Sequence, residues 1–268
     1  MIWIAIVLGI VEGLTEFLPI SSTGHLIVAG HALGFTGPAA ETFEIVIQLG
    51  AILAVVWEYR RHLAQVVSGV LRASPDPLSF ALARNLLLAF LPAAAAGFLL
   101  HGVIRDHLFG PITVAWALIA GGIAMLAIEA MQPEDETGKV GSIMQITWGK
   151  ALSVGGAQVL SLFPGVSRAG ATIIGGMLSG LDRRTATEFS FYLAIPTMLA
   201  ATGYDLLKSW ESLSAEMLLP FAVGFVMAFV AALVAVRSFI RFVSHHDFRP
   251  FAWYRIVFGI VVLIYFMR

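Results

Sequence analysis

The sequence predicts an all-α, polytopic integral membrane protein with two internal repeats, each contributing a re-entrant pair of broken helices. Three observations lead to this fold class. Of the 268 residues, 59% are hydrophobic and 12% are charged, whereas soluble domains carry about 25% charged residues. The apolar residues stand in long blocks, unlike the short alternating segments of a membrane β-barrel. Proline breaks a polar motif inside the apolar sequence once in each half of the chain.

Ten hydrophobic blocks follow one another along the chain. A helix needs about 20 apolar residues to span a membrane, and several blocks are shorter and are interrupted by proline or glycine. Such segments are tolerated at membrane depth only where protein or a water-filled cavity satisfies the freed backbone groups. In order, the blocks are Ile2–Leu18, Leu26–Leu33, Phe43–Trp57, Leu86–Leu100, Ile112–Ala130, Ala151–Phe163, Ala171–Leu181, Phe189–Ala201, Leu218–Val236 and Phe251–Phe266.

The two broken segments resemble each other. The first reads EGLTEFLPISSTGHL and the second reads GAQVLSLFPGVSRAGAT. Pro19 corresponds to Pro164, and Ser22 corresponds to Ser167 at the same offset. Short interrupted segments at matching places in two halves are typical of a midplane site formed between internal repeats. We therefore expect two inverted repeats whose broken segments face each other.

A second pair of related segments follows the broken ones. TFEIVIQLGAIL in the first half matches TEFSFYLAIPTM in the second, with Glu44 and Glu188 near equivalent places. We expect a single transmembrane domain over residues 1–268, with repeat one over about residues 1–130 and repeat two over about residues 150–268. The first apolar block lacks a basic flank and a cleavage site, so we interpret it as a membrane segment and not as a signal peptide.

Charge and cysteine content exclude several classes of function. The formal net charge of −1 gives no electrostatic case for nucleic-acid binding. The absence of cysteine excludes disulfides, thiolate nucleophiles and cysteine metal sites. Basic residues at Arg60–Arg61 and over Arg237–Arg249 predict cytoplasmic ends by the positive-inside rule. The pair Arg183–Arg184 leaves the orientation open at this point.

Two carboxylates stand out in the first block. Glu12 and Glu16 are four residues apart, so a helix places them on one face. Ionisable groups at membrane depth are costly and are functional by default. The pair can coexist if one carboxyl is protonated, if an arginine neutralises them, or if they share a divalent cation. Each of these states suits a general base or a ligand for Mg²⁺ or Ca²⁺. The alternative is a structural role, in which the two carboxylates bond to another helix.

The run after Pro19 supplies hydroxyls and free amides. Ser21, Ser22, Thr23 and Gly24 have the residue types of a helix N-cap, and the same groups form an anion site at a helix N-terminus. A hydroxyl beside a base is also the arrangement of an activated nucleophile. His25 follows at once, where it is either a satisfied helix-start histidine or a general acid or base.

The second broken segment carries one cation. Arg168 follows Ser167 among glycines that let a ligand approach the backbone, and a guanidinium binds phosphoryl oxygens bidentately. A snorkelling or salt-bridged arginine is the alternative. If the repeats face each other, Arg168 meets the carboxylates and Ser22, which together are what phosphoryl transfer needs. Weaker candidates for lining this cavity are Gln158, Thr172, Glu188 and Tyr192.

These motifs carry a family resemblance. EGLTEFLPISSTGH, FEIVIQLGAILAV, LFPGVSRAGATI, EFSFYLAIPTM and FRPFAWYRIVFG closely resemble the undecaprenyl-diphosphate phosphatase family of the bacitracin-resistance type, over essentially the whole chain. The sequence does not favour the acid-phosphatase-like lipid phosphatases, because the histidine they carry five residues beyond the arginine and the preceding Lys/Arg-Pro motif are missing.

The resemblance implies hydrolysis of undecaprenyl diphosphate to undecaprenyl phosphate and inorganic phosphate, which recycles the lipid carrier for cell-wall synthesis. It implies that the functional residues are Glu12, Glu16, Ser22, His25 and Arg168. It also implies dependence on a divalent cation and a site that faces the extracytoplasmic side of the bacterial inner membrane. Ala169 departs from the family, in which many members have serine there.

The predicted mechanism places the diphosphate between the two loops. Arg168 binds the phosphates with help from Ser21, Thr23, Gly24, Ser167, Gly170 and Thr172. Ser22 attacks the terminal phosphorus or orients a water, Glu16 is the base, and Glu12 assists it or holds the cation. His25 activates Ser22 or protonates the leaving lipid phosphate.

The rival functions are a lipid or small-anion transporter that uses the same midplane site and a structural membrane subunit. Expected partners are the polyprenyl diphosphate substrate, membrane lipids and, in a homodimer, a second copy of the chain.

Overall fold

The computed structural model describes residues 1–108, 110–132, 138–209 and 217–267, and within these ranges the chain is all-α. Ten α-helices and two short 3₁₀ turns, at Ile143–Gln145 and Leu160–Leu162, are present there. The helices are α1 Ile2–Thr15, α2 Ser22–Ala32, α3 Pro38–Val70, α4 Pro77–Leu108, α5 Pro111–Met131, α6 Trp148–Val159, α7 Arg168–Leu178, α8 Arg183–Ser209, α9 Leu218–Val243 and α10 Arg249–Phe266.

Each predicted hydrophobic block lies largely within one of these helices, which confirms the all-α polytopic membrane class. Within the described ranges, five helices are long and apolar enough to cross a membrane, namely α3, α4 over Pro77–Leu100, α5, α9 and α10. The helix α8 has 27 residues but begins with the polar run RRTATE. It packs between α3, α4, α7 and α9, so protein surrounds it on several sides.

Two helices extend far beyond their predicted blocks. The block Phe43–Trp57 is the middle of α3, which continues through the polar segment EYRRHLAQ to Val70. The helix α4 begins nine residues before its block, because Asp76 precedes its first turn and accepts hydrogen bonds from the Ser79 hydroxyl at 2.6 Å and the Ser79 amide at 2.8 Å. These bonds lower the pKa of the Asp76 carboxyl from its usual value. Apolar patterning locates the membrane-spanning part of a helix and does not locate its polar ends.

The two broken segments form two pairs of short helices, α1 with α2 and α6 with α7. Each helix has 11–14 residues, fewer than the roughly 20 that a span requires, and the two members of each pair pack together. We call α1–α2 the first pair and α6–α7 the second pair. The predicted broken segments are therefore present in both halves.

Both pairs turn at a serine in the left-handed region. Ser21 has φ 68° and Ser167 has φ 75°, and they are the only residues other than glycine with positive φ in the part of the chain that the structure describes. Each is the N-cap of the following helix. Alignment on the prolines matched Ser22 with Ser167. That match is wrong for the helix caps, because Ser22 is the first residue of α2 and not its N-cap. The cap position pairs Ser167 with Ser21, one residue closer to the proline in the first pair.

Glycines seat each pair on a long helix. A methyl group at Gly13 of α1 would lie 2.7 Å from the Ala231 side chain of α9. A methyl group at Gly155 of α6 would lie 2.5 Å from the Ala89 carbonyl oxygen of α4. The backbones can approach this closely because glycine has no side chain, as is common between membrane helices. The first pair is thereby fixed to α9 and the second pair to α4.

The basic residues gather at one end of the molecule. Arg184, Arg237 and Arg241 line one cavity there together with Glu58, and Glu58 is two residues from Arg60. Arg184 therefore lies at the same end of the molecule as Arg237 and Arg241.

Candidate active site

Glu16 is the point at which the two pairs meet. Its Oε2 accepts a hydrogen bond of 2.5 Å from the Ser22 hydroxyl, and its Oε1 accepts one of 3.2 Å from Nη2 of Arg168. Glu16 and Ser22 are buried, as is most of the Arg168 side chain. The structure thus brings together a carboxylate and a hydroxyl from the first pair and a cation from the second pair.

Several groups orient Arg168. Its Nη1 donates to the Ser190 carbonyl oxygen of α8 at 3.1 Å, and its guanidinium carbon lies 5.5 Å from the centre of the Phe17 ring. Its Nε has no hydrogen-bond partner among the described residues although it is buried. Buried donors are normally bonded, so this free Nε–H fits a ligand oxygen. Arg168 is therefore held by protein on one side and available on another.

Glu12 lies one turn before Glu16 and is 1% exposed. Its Oε1 also has no partner in the described part of the chain. Glu16, Glu44 and Arg168 are the charged groups that act on it electrostatically. A buried carboxylate oxygen without a partner can accept a proton or a cation.

The carboxylate of Glu12 supplies the unbonded oxygen of the predicted cation site, since its Oε1 has no hydrogen-bond partner among the described residues. Both oxygens of Glu16 already accept hydrogen bonds, and no cluster of three or more histidine, aspartate or glutamate side chains is positioned for a metal among the described residues. Mg²⁺ is commonly held by only one or two carboxylates together with substrate phosphates. The donors Glu12 and Glu16 fit a cation of that kind, which would depend on the diphosphate for further ligands.

The start of α2 presents the remaining polar groups of the first pair. Ser21 is the N-cap without a side-chain capping bond, and the amides of residues 22–24 have no carbonyl partner within the helix because they belong to its first turn. A methyl group at Gly24 would lie 3.1 Å from the Leu118 side chain, so this glycine lets α2 pack against α5. Thr23 is half-buried.

His25 is turned toward α10. Its Nδ1 lies 2.8 Å from the Ser21 carbonyl oxygen, which can only accept, so Nδ1 carries a proton. Its Nε2 lies 2.7 Å from the Tyr254 hydroxyl, which donates to it when the ring is neutral. The ring also stacks on Phe258 at 4.2 Å between centroids. The hydroxyl of Ser22 is bonded to Glu16 and not to His25.

The polar residues of the second pair bond mainly to protein. The Ser167 hydroxyl accepts from the Gly170 amide at 3.1 Å and caps α7. Thr172 is fully buried, and its hydroxyl lies 2.9 Å from the Arg168 carbonyl oxygen and 2.7 Å from the Ser190 hydroxyl. These residues fix the position of Arg168. Ala169 is fully buried as well, so the departure from the family removes a hydroxyl at an interior position.

The weaker candidates divide between two places. Gln158 is buried, and its Nε2 has no partner among the described residues. Glu188 instead forms an ion pair with Arg184, in a cavity lined by none of the five residues of the predicted mechanism. The Tyr192 hydroxyl lies 2.5 Å from Nδ1 of His62. The structure thus places Glu188 outside the Glu16 cluster.

Sequence reasoning missed Arg255, the residue that holds both loops. Its guanidinium is 1% exposed. It donates to the Pro19 carbonyl oxygen in the first loop at 3.1 Å and to the Val166 carbonyl oxygen in the second at 2.9 Å. Further bonds of 3.2–3.4 Å go to the carbonyl oxygens of Gly165, Ala117 and Leu118. A charge inside the apolar run FAWYRIVFGIVV was the available signal.

This geometry supports a specific chemistry. The carboxylate of Glu16 is positioned to take a proton from the hydroxyl of Ser22, and Arg168 is within reach of an anion at the same place. A base, a nucleophile and a charge-stabilising cation in a dry site are the requirements of phosphoryl transfer.

Comparison with known proteins gives consistent results. Residues 5–261 match the family model described as bacitracin resistance protein BacA. The chain is 56% identical over 264 residues to the undecaprenyl-diphosphatase of Methylobacillus flagellatus, covering 98% of this chain and 97% of that protein. It is 53% identical to undecaprenyl-diphosphatase 1 of Paraburkholderia xenovorans, covering 97% and 93%. It is 56% identical to the undecaprenyl-diphosphatase of Laribacter hongkongensis, also covering 97% and 93%.

The family model covers nearly the whole chain, and the relatives are similar along nearly their whole lengths. This confirms the resemblance that the motifs predicted. The chain belongs to the bacitracin resistance protein BacA family.

Proposed function

We propose that this protein is a membrane phosphatase that hydrolyses undecaprenyl diphosphate to undecaprenyl phosphate and inorganic phosphate. The observation that carries the proposal is the bonded set Ser22–Glu16–Arg168, which joins the two pairs. The three relatives described above are named for this activity, which favours hydrolysis over the transporter alternative. The product lipid can then serve again as a carrier in cell-wall synthesis.

In the proposed mechanism, Arg168 binds the diphosphate and stabilises the charge that develops on the transferred phosphoryl group. Glu16 accepts the proton of the nucleophile through the contact it already makes with Ser22. The bond to the terminal phosphorus forms as its bond to the bridging oxygen breaks, and the lipid phosphate leaves with the bridging oxygen.

Two versions of the attacking step remain to be separated. In one, Ser22 attacks, and water then hydrolyses the phosphoserine. In the other, Ser22 orients a water that attacks directly. Rapid quenching of a single turnover with substrate labelled in its terminal phosphate distinguishes them, since only the first version leaves label on Ser22.

His25 takes the second of its two predicted roles. Because Glu16 already accepts from Ser22, we assign His25 to the leaving lipid phosphate, to which its protonated ring would donate the Nε2 proton in place of the contact with Tyr254. The bond from Tyr254 positions the ring for this.

A divalent cation is part of the proposal. Mg²⁺ or Ca²⁺ held by Glu12 and Glu16 would neutralise charge on the diphosphate oxygens. The support is the unpartnered Glu12 oxygen and the chemistry of the carboxylate donors. Chelation followed by return of each cation, with phosphate release as the readout, tests the requirement.

We propose a location in the bacterial inner membrane, with the basic end in the cytoplasm, as the positive-inside rule indicates. The first pair then enters from the extracytoplasmic side, because α2 connects to the start of α3, and α3 reaches the basic cavity only at residues 58–59, about 20 residues further along. The catalytic groups are accordingly assigned to the extracytoplasmic face. A homodimer stays a prediction, which the mass of the purified protein in detergent, measured by light scattering, tests.

The decisive experiment measures inorganic phosphate release from undecaprenyl diphosphate by the purified protein with a divalent cation supplied. Arg168→Ala and Glu16→Gln remove one group from each pair, and Glu41→Gln is the matched control, because Glu41 is an exposed carboxylate near the start of α3. We expect release by the wild type and the control and its loss in both site variants. No release from folded wild-type protein would reject the phosphatase and direct attention to a lipid-transport assay.

A further inference from the structure

A second polar cavity lies at the basic end, away from the Glu16 cluster. Its volume is about 810 Å³, and it is lined by residues 58–59 of α3, the start of α8 and the C-terminal part of α9. None of the residues of the proposed mechanism lines it. We call it the basic cavity. Its charged lining residues are Glu58, Arg184, Glu188, Arg237 and Arg241, and His245 also lines it.

Two of its arginines are oriented by carboxylates through one nitrogen each. Nε of Arg184 lies 3.0 Å from Glu188, and Nε of Arg237 lies 2.7 Å from Glu58. The terminal nitrogens of both guanidinium groups make no hydrogen bond with described residues. More than half of each arginine side chain is exposed. An ion pair through Nε thus holds each group while the outer edge, which binds phosphate oxygens, stays available.

Arg241 adds a cation without a counter-charge. It is exposed, and no carboxylate in the described ranges forms an ion pair with it. His245 lies just beyond the end of α9, and its Nδ1 donates to the Arg241 carbonyl oxygen at 3.1 Å. Three guanidinium groups face two carboxylates across this cavity, so its charge is positive and an anion is the complementary ligand.

An apolar surface leads from the membrane interior to these arginines. Val226, Val230 and Val234 on α9 are each about half exposed, and they recur every four residues, so they lie on one face of the helix. Arg237 and Arg241 continue the same face at intervals of three and four. A hydrocarbon chain lying along the three valines would therefore place its headgroup at the two arginines.

The depth of the cavity matches that of a lipid headgroup. Trp57, next to Glu58 in sequence, is 51% exposed, and the guanidinium of Arg60 lies 4.5 Å from its ring centre. Exposed tryptophan with flanking arginine is typical of the membrane–water interface. The inner wall of the cavity includes Val236 and Ile240, so the site combines an apolar wall with a basic rim.

We propose that the basic cavity binds the terminal phosphate of a membrane lipid whose hydrocarbon chain lies along the Val226–Val234 face of α9. The ligand class is a phosphomonoester lipid, because two negative charges and three terminal oxygens match the several guanidinium edges better than a phosphodiester does. The inference is independent of the proposed hydrolysis, since no catalytic residue takes part in it.

The test is a titration of the full chain in detergent with phosphatidic acid, followed by native mass spectrometry. The titration is made in the wild type and also in Arg168→Ala, so that lipid bound at the catalytic cluster is removed from the count. Arg241→Gln removes the unpaired cation of the cavity, and Arg61→Gln removes an exposed cation at the same end that does not line the cavity. If Arg241→Gln fails to fold, Arg237→Gln replaces it.

We expect one phosphatidic acid to remain bound in Arg168→Ala, and its affinity to fall about tenfold in Arg241→Gln, the contribution of one charge-assisted hydrogen bond. Arg61→Gln should bind as the wild type does, and phosphatidylglycerol should bind more weakly. Equal losses of affinity in Arg241→Gln and Arg61→Gln would show that the lipid responds to general surface charge, and would overturn the proposed site. Displacement of the lipid by inorganic phosphate would identify a soluble anion as the ligand and overturn the lipid assignment, and equal binding of phosphatidylglycerol would overturn the phosphomonoester class.

Discussion

The first and second pairs have similar architecture and different chemistry. Both consist of two short helices that meet at a serine with positive φ. In the second pair, Ser167 uses its hydroxyl to cap its own helix. In the first pair, Ser21 makes no side-chain cap, and Ser22 gives its hydroxyl to Glu16.

The difference teaches how a repeated frame can hold an asymmetric site. The second pair uses its hydroxyls on its own structure and contributes one cation, Arg168, to the other pair. In the proposed mechanism, the first pair supplies a carboxylate and a hydroxyl, Glu16 and Ser22. The second pair thus contributes the cation that binds an anion, and the first pair contributes the hydroxyl and the carboxylate beside it.

The serines give the sharpest test of this difference. We expect Ser22→Ala to lower kcat/KM about 10³-fold, within the range for losing an acid–base contact, with little change in stability. Ser167→Ala should lower the free energy of unfolding by about 1 kcal/mol, as for other lost N-caps, and should change activity much less. Phosphate-release kinetics and unfolding in detergent measure both. A larger activity loss in Ser167→Ala than in Ser22→Ala would reverse the roles of the two pairs.

The two buried arginines give the next largest effect. Arg168→Lys keeps the charge and loses bidentate binding, so we expect a drop in kcat/KM of about 10²-fold with a nearly unchanged midpoint of thermal unfolding. Arg255→Lys should reduce both activity and the unfolding midpoint, because one ammonium cannot serve five carbonyl oxygens. A stable, inactive Arg255→Lys protein would contradict the positioning role and indicate direct contact with substrate.

Two tyrosines on α10 offer a matched pair of smaller changes. The Tyr254 hydroxyl bonds to His25 and the Tyr265 hydroxyl lies 3.2 Å from His31, between the same two helices. We expect Tyr254→Phe to lower kcat about tenfold, the worth of one hydrogen bond that orients a catalytic group, and Tyr265→Phe to leave kcat unchanged. Equal effects of the two substitutions on kcat would show that His25 needs no positioning by Tyr254.

Adjacent glycines in α6 give the smallest effect and report on stability alone. Gly155→Ala should lower the free energy of unfolding by about 1–3 kcal/mol, because the methyl group would overlap the Ala89 backbone. Gly156→Ala meets open space and should raise it by up to about 1 kcal/mol through helix propensity. Chemical unfolding of both variants in detergent provides the comparison. Destabilisation by Gly156→Ala would mean that α6 packs differently from the arrangement described.

The sequence predicted the helices and part of the site for identifiable physical reasons. Apolar blocks locate membrane helices, and polar groups at a proline mark the two pairs. The contact of Glu16 with Arg168 joins residues 152 positions apart, and only the expectation of facing repeats brought it within reach. The inverted relation of those repeats stays a prediction.

Other features of the site could not be read from the sequence. Arg255 was missed because its partners are backbone carbonyl oxygens, which leave no mark on residue type. Glu188 was placed in the wrong cavity because matching segments do not fix which face of α8 a side chain occupies.

Arg255 also has a consequence for how the protein is made. It belongs to α10, whereas the two loops it joins are translated well before that helix. Until α10 inserts, the carbonyl oxygens of Pro19, Gly165 and Val166 lack this donor, and the contact between Glu16 and Arg168 is the bond described above that joins the two pairs. Once α10 inserts, the guanidinium of Arg255 is stabilised by those carbonyl oxygens, because an unpaired cation in the bilayer is costly. A nascent chain that lacks α10 therefore has both loops without the donor they share, and we expect the proposed site to reach its final geometry only after α10 has been inserted.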